Sequence, residues 1–114
     1  MRTVKLVEES LPTAFIASVA ERFRDRFVGL LLSPEPGKGS GLLIRQCSMV
    51  HMFFMRYPID VIFLDRSHKI IGIEAGLKPF RISKSYKKAV SALEVRAGEA
   101  APLKIGMMFS VTEI

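Results

Sequence analysis

The sequence predicts a mainly β domain, α+β by strict count: an antiparallel β-sandwich or half-barrel with one helix at about 19–32 and a short helical piece near 98–103. Three observations predict it. Short apolar or alternating runs bounded by turn residues recur after residue 40. One capping signature opens one amphipathic stretch. No alternation of helix and strand follows residue 33, so the strands are expected to pair mainly antiparallel. A chain of 114 residues fits one domain, 1–114, with a core of its own.

Residues 3–8 alternate, with Val4 and Leu6 on one side, and read as a half-buried strand. Leu11-Pro12 turns the chain, and residues 13–17, with Phe15 and Ile16, form a second strand. Ser18 to Glu21 then fits a capping box, and Val19, Phe23, Phe27, Leu30 and Leu31 follow at helical spacing. Phe23 and Phe27 are expected to pack on the sheet. Residues 33–37 (SPEPG) end the helix, because proline lacks the amide and restricts its predecessor. Gly37, Gly39 and Gly41 do not make a phosphate loop, since no Gly-Lys-Ser/Thr follows and the loop leaves a helix instead of opening one. Further strands are expected at 42–44, 50–55, 59–64, 69–73, 90–95 and 107–112, with a tight turn at 65–68. The short connection Arg56-Tyr57-Pro58 predicts that 50–55 and 59–64 pair as a hairpin.

Hydrophobic residues make up 49% of the chain, which excludes a disordered polymer. One cysteine, Cys47, excludes an internal disulfide and a multi-cysteine zinc site, and it fits a reducing compartment. The N-terminus lacks a signal-peptide pattern, and no apolar run approaches the ~18 residues needed to span a bilayer. The chain is therefore expected to be cytoplasmic, without cofactor or metal. Seventeen Lys and Arg against 11 Asp and Glu give a net charge of +6, which favours an anionic ligand or a protein partner.

Three groups of residues carry candidate chemistry. Cys47 and His51 are a thiol and an imidazole four residues apart, a pattern for a nucleophile and base or for two metal ligands. On an extended strand they lie ~13 Å apart, so contact needs a bend. The bland alternative is a buried thiol and a histidine satisfied by backbone. Asp60 and Glu94 sit inside apolar runs, where a carboxylate needs partners. The expected hairpin would bring Asp60 within diagonal reach of His51. Finally, residues 78–88 hold Lys78, Arg81, Lys84, Lys87 and Lys88 with Phe80 and Tyr86 and no acid. They are candidate anion-binding residues, although lysine-rich edges also deter aggregation. Nucleic acid is not the favoured partner; it stays as a weak, salt-sensitive second alternative.

Several blocks together resemble an uncharacterised bacterial family, domain of unknown function 192. They are residues 26–30 (RFVGL), 41–44 (GLLI), 47–65 (CSMVHMFFMRYPIDVIFLD), 77–80 (LKPF), 93–98 (LEVRAG) and Ile105-Gly106. The central block is the specific part, and a Cys-x-x-x-His ahead of it is similar to one subgroup. Phe54-Met55-Arg56-Tyr57 stands where the family often has Trp-Met-Lys-Asn-Thr, and Met52 where the subgroup often has Thr. The hairpin turn carries Ser67-His68 in place of the usual Asp-Gly. The resemblance implies a compact sandwich or half-barrel and no established activity. It places any shared site among Cys47, His51, Met55, Pro58 and Asp60. The candidate site is thus Cys47, His51, Met55, Asp60 and Glu94, in a binding or accessory module. The alternative is a small hydrolase-like or thiol-dependent enzyme using Cys47 and His51.

Overall fold

The computed structural model describes residues 2–21, 35–52 and 55–114. Seven strands appear there: β1 (Thr3–Glu8), β2 (Ala14–Ala20), β3 (Ser40–Arg45), β4 (Ile59–Leu64), β5 (Ile70–Leu77), β6 (Ser91–Arg96) and β7 (Phe109–Glu113). They form one sheet in the order β5-β4-β6-β3-β2-β1-β7. Every neighbouring pair is antiparallel except β2–β3. The sheet curls into a half-barrel. Its two edges touch where Lys69 bridges Met108 and the Phe109 amide donates to the His68 carbonyl at 3.0 Å.

Alternation along each strand divides the core in two. Val4, Leu6, Phe15, Val19, Leu43, Ile62 and Leu93 fill the inside of the curl. Leu42, Ile44, Val61, Phe63 and Ala92 face outward and are covered by Val50, Met52, Met55 and Tyr57. The central strand β4 is therefore buried at every position. A second segment, 78–90, straps the outer face. Phe80 and Tyr86 donate backbone amides to Met52 and Ser48 at 2.7 and 2.8 Å. The Tyr86 ring stacks on Phe63 with centroids 4.4 Å apart. It lies so close over Gly72 that a Cβ there would come within 2.1 Å of it.

Of the two expected architectures the half-barrel is the one that forms, as a single sheet. Three expectations need correction. The helix does not begin at the capping signature: Val19 and Ala20 end β2, and Ser18 is paired with Thr3 and Leu42. Burial of Phe15, Ala17 and Val19 on one strand face outweighed the local capping pattern. The remainder of that helix, including Phe23 and Phe27, lies outside the described residues, and among the described residues there is no α-helix. Residues 98–103 are successive turns, closed by bonds such as Ala101 N to Gly98 O at 3.2 Å. Gly98 has φ +97°, which no helix permits, and Pro102 withholds an amide. Lastly, the hairpin of 50–55 with 59–64 does not form. Both edges of β4 are taken, by β5 and β6. His51 instead makes an isolated antiparallel bridge with Ile82.

Candidate functional site

The barrel has two unlike ends. At one, the 97–107 segment plugs the interior, with Ala100 and Leu103 in the inner core. Asp60, 1% exposed, holds that plug. Its Oδ1 accepts the Gly76 amide at 2.7 Å, and its Oδ2 accepts those of Gly98 and Ala100, both at 2.9 Å. A buried carboxylate satisfied by three amides needs no further partner to be stable. Asp60 lies across from Val95, so it faces the barrel interior.

At the other end the inward-facing columns change character in register. Val4 is followed by Arg2, Leu43 by Arg45, Leu93 by Ser91, Leu64 by Arg66 and Val111 by Glu113, each two residues on toward the opening. Two residues along a strand keep the same face, so in β3, β6 and β7 core positions become rim positions without a change of side, while Arg2 just before β1 and Arg66 in the turn after β4 line the same opening. The result is an open mouth, a cleft of ≈ 520 Å³. Val4, Val19, Leu43 and Val111 line it together with Arg2, Arg45, Gln46, Arg66, His68 and Ser91. Other clefts reach similar volumes, among them ≈ 500 Å³ beside Arg96 and Pro102, so size does not single out the mouth. Charge does. In that other cleft Arg96 stands 3.6 Å from Glu35, and Glu99 accepts the Gly39 amide at 2.7 Å.

On the mouth's rim, Arg2 is held between Glu21 and Glu113 at 2.7 and 2.6 Å. Among the described residues, no carboxylate forms an ion pair with Arg45 or Arg66. Asp65, beside Arg66, accepts the Ser67 and Lys69 amides with Oδ1 at 2.9 and 3.0 Å. Those bonds, the one from Lys69 first, hold its pKa below the ordinary carboxylate value. Gln46 and His68 occupy the left-handed region at φ +52° and +63°. Among the described residues, the remaining non-glycine residue there is Phe80 on the strap, at φ +65°.

The other predicted residues lie on the outer face. Cys47 is half-buried, packs against the outer cluster and points its Sγ at the Met49 carbonyl, 3.2 Å away. Met55 is inside that cluster. Glu94, 1% exposed, lies across from Leu42 and Val61 and shares their face. His51 sits in the covering segment between Val50 and Met52. The fold thus brings Cys47, His51, Met55 and Glu94 to one side and sets Asp60 on the other. Lys78, Arg81, Lys84, Lys87 and Lys88 are all exposed on the strap. Among the described residues, no three of His, Cys, Asp or Glu gather to hold a metal.

The rim residues were absent from the sequence-derived site. The local signal was there, because all of them but Gln46 stand two residues from an inward apolar position. What the sequence did not show is that these column ends converge.

The DUF192 family model (Uncharacterized ACR) matches residues 4–111. A UPF0127 protein of Thermococcus sibiricus is 36% identical over 67 residues, which cover 55% of this chain and 43% of that protein. The chain thus spans less than half the length of that curated relative. Among solved structures, a protein of unknown function from Novosphingobium aromaticivorans gives a TM-score of 0.77 at 22% identity, covering 96% of this chain and 83% of that one. A Sinorhizobium meliloti protein, proposed as a transcription regulator, gives 0.79 at 20% identity, covering 98% and 92%. At such identities the two structures speak to the fold alone. With nearly its whole length matched by the family model, the chain belongs to the DUF192 family.

Proposed function

We propose that this chain is a small-ligand binding module whose site is the open mouth of the half-barrel. One observation carries the reading: the inward columns turn from apolar to polar at one end and converge on an open cleft. Ligand sites favour such a concave apolar floor with a few polar groups at its edge. At the opposite end the plug held by Asp60 fills the interior, and the cleft of ≈ 500 Å³ beside it, lined by Asp60, Ile73, Gly76, Gly98 and Leu103, carries no cationic side chain.

A second reading keeps Cys47, His51 and Glu94 as a site on the outer face, without Asp60. It is favoured by a buried carboxylate on the face that the Cys47–His51 segment covers. As a nucleophile Cys47 is poorly set, since its Sγ is engaged as a thiol donor to the Met49 carbonyl. Within the family we place the chain in a subgroup marked by Cys47 and His51 ahead of the central block. Binding of nucleic acid through the exposed strap lysines remains the weakest reading, because no cleft among those described is lined by them.

An amide-shift screen of the full chain with a mixed fragment library tests the proposal. Shifts gathered on Arg2, Arg45, Gln46, Arg66, His68 and Ser91 are expected. Shifts gathered on 47–52 and Glu94 would move the site to the outer face, and shifts along 78–88 would move it to the strap. Native Cys47 that labels rapidly at neutral pH would restore the thiol-enzyme reading.

A further inference from the structure

We infer that the ligand of the mouth carries an oxyanion head, a carboxylate or phosphate, seated between Arg45 and Arg66, with an apolar body resting on the valine floor. The inference rests on the mouth being the ligand site. The charges around the rim, taken strand by strand in sheet order, point to an anion.

On the β2-β1-β7 side the rim charges satisfy one another. Arg2 bonds Glu21 and Glu113, a cation between two carboxylates. On the β3-β6-β4-β5 side stand Arg45, Ser91, Arg66 and His68, two guanidiniums that no described carboxylate pairs with. Charged rims are ordinary at the ends of barrels, and an even mixture of signs would need no explanation. Here the signs are segregated, and the unmatched half is cationic.

The geometry suits one shared anion. Ser91 lies directly across from Arg45 on one side and Leu64 on the other. Arg45 and the β4 end leading to Arg66 are therefore two strand spacings apart, about 10 Å between backbones. Two long arginine side chains easily converge over that span. A guanidinium presents paired N–H donors that match a carboxylate or phosphate edge. The Ser91 side chain, on a residue 4% exposed, lies between them and lines the same cleft. Below this head site the floor is apolar, with Val4, Val19, Leu43 and Val111. That combination fits an anion with a hydrophobic body better than a fully hydrated ion.

Backbone-amide titrations of the full chain with inorganic phosphate and with hexanoate test this, at constant ionic strength made up with chloride. Saturable shifts at Arg45, Gln46, Arg66 and Ser91 are expected with at least one oxyanion. Arg45→Gln and Arg66→Gln should each weaken that binding about tenfold or more, the scale of a charge-assisted bond pair. Lys84→Gln and Lys87→Gln on the strap should leave it unchanged. Tighter hexanoate binding identifies a carboxylate with an apolar chain, and saturation by phosphate alone identifies a phosphate group. Shifts that never saturate, or that survive both arginine substitutions, overturn the inference. If neutral fragments occupy the mouth while neither oxyanion saturates, the anion is wrong and the mouth stands. If no compound of any charge moves the rim residues, both fall.

Discussion

The two ends of the half-barrel use charge in opposite ways. At the plugged end the carboxylate of Asp60 is buried and saturated by the amides of Gly76, Gly98 and Ala100, and the buried Glu8 likewise accepts the Ser10 amide. At the open end Arg45 and Arg66 are exposed and answer to no described carboxylate. A buried, fully bonded charge specifies structure, because removing it strands every group it satisfied. An exposed charge without a partner contributes little to stability, so its position is open to selection for something else. The difference predicts that substitutions at the plugged end act on folding and those at the mouth act on binding.

The largest effect should come from Asp60→Ala. It removes the acceptor of the buried Ala100 amide and of the part-buried Gly76 and Gly98 amides, three bonds to a charged group, and a loss of about 3–5 kcal/mol is expected. Urea denaturation would register it as a lower midpoint at unchanged slope. Asp60→Asn keeps one acceptor oxygen and should lose less. A midpoint for Asp60→Ala within about 0.5 kcal/mol of the parent, the range of ordinary surface changes, would erase the contrast between the ends.

The outer face gives an intermediate scale. Gly72→Ala would drive a methyl into the Tyr86 ring, whose Cε1 lies 2.1 Å from the position of that carbon. Overpacking of this kind is expected to cost about 1–3 kcal/mol. Tyr86 also gives a pH signature. Burial first, and then its bond to Glu74, push its phenol up to about 12 from the ordinary 10.0. The folded value is raised, so the stabilisation is fully present below pH 10 and is lost as pH rises through about 12. Tyr86→Phe should flatten that alkaline arm of the stability curve. An arm of the same height in the variant would mean the strap is held some other way. Because the mouth lies on a different part of the sheet, neither substitution should alter ligand shifts at Arg45.

The strands were legible because their signals are local. Apolar and alternating runs marked a part of all seven, from Thr3–Glu8 to Phe109–Glu113, but they also marked 50–55, where the described residues make only the isolated bridge of His51 with Ile82. Pairing was not legible in the same way. The short connection at Arg56-Tyr57-Pro58 suggested a hairpin, yet β4 found its partners at Ile70–Leu77 and Ser91–Arg96. Asp60 was recognised as a carboxylate that must be satisfied, but its partners lie 16, 38 and 40 residues away. No local pattern announces bonds at such separation. Ser18 shows the reverse failure, a strong local capping signal overridden by pairing with Thr3 and Leu42. The mouth was missed for a third reason. Arg2, Arg45, Arg66 and Ser91 each look like an unremarkable strand end until the sheet curls and brings those ends together.

The smallest expected effect on stability is also the sharpest test of the contrast. His68 has φ +63° and closes the turn begun at Asp65, with its amide donating to the Asp65 carbonyl at 3.0 Å. A turn of this kind commonly places glycine in the left-handed position, where a side chain is strained. Histidine is tolerated there better than branched residues, so the strain is modest. His68→Gly should relieve it, while glycine's extra freedom in the unfolded chain offsets part of the gain. A net change between zero and about 1 kcal/mol of stabilisation follows. The side chain that is lost lines the mouth. If the mouth binds a ligand, the variant should be as stable as the parent or more so, and should bind more weakly. Thermal melting and the amide titration, run on the same sample, separate the two. A variant that is clearly destabilised would show that the imidazole holds the turn. One that keeps both its stability and its full affinity would show that nothing at the mouth depends on His68.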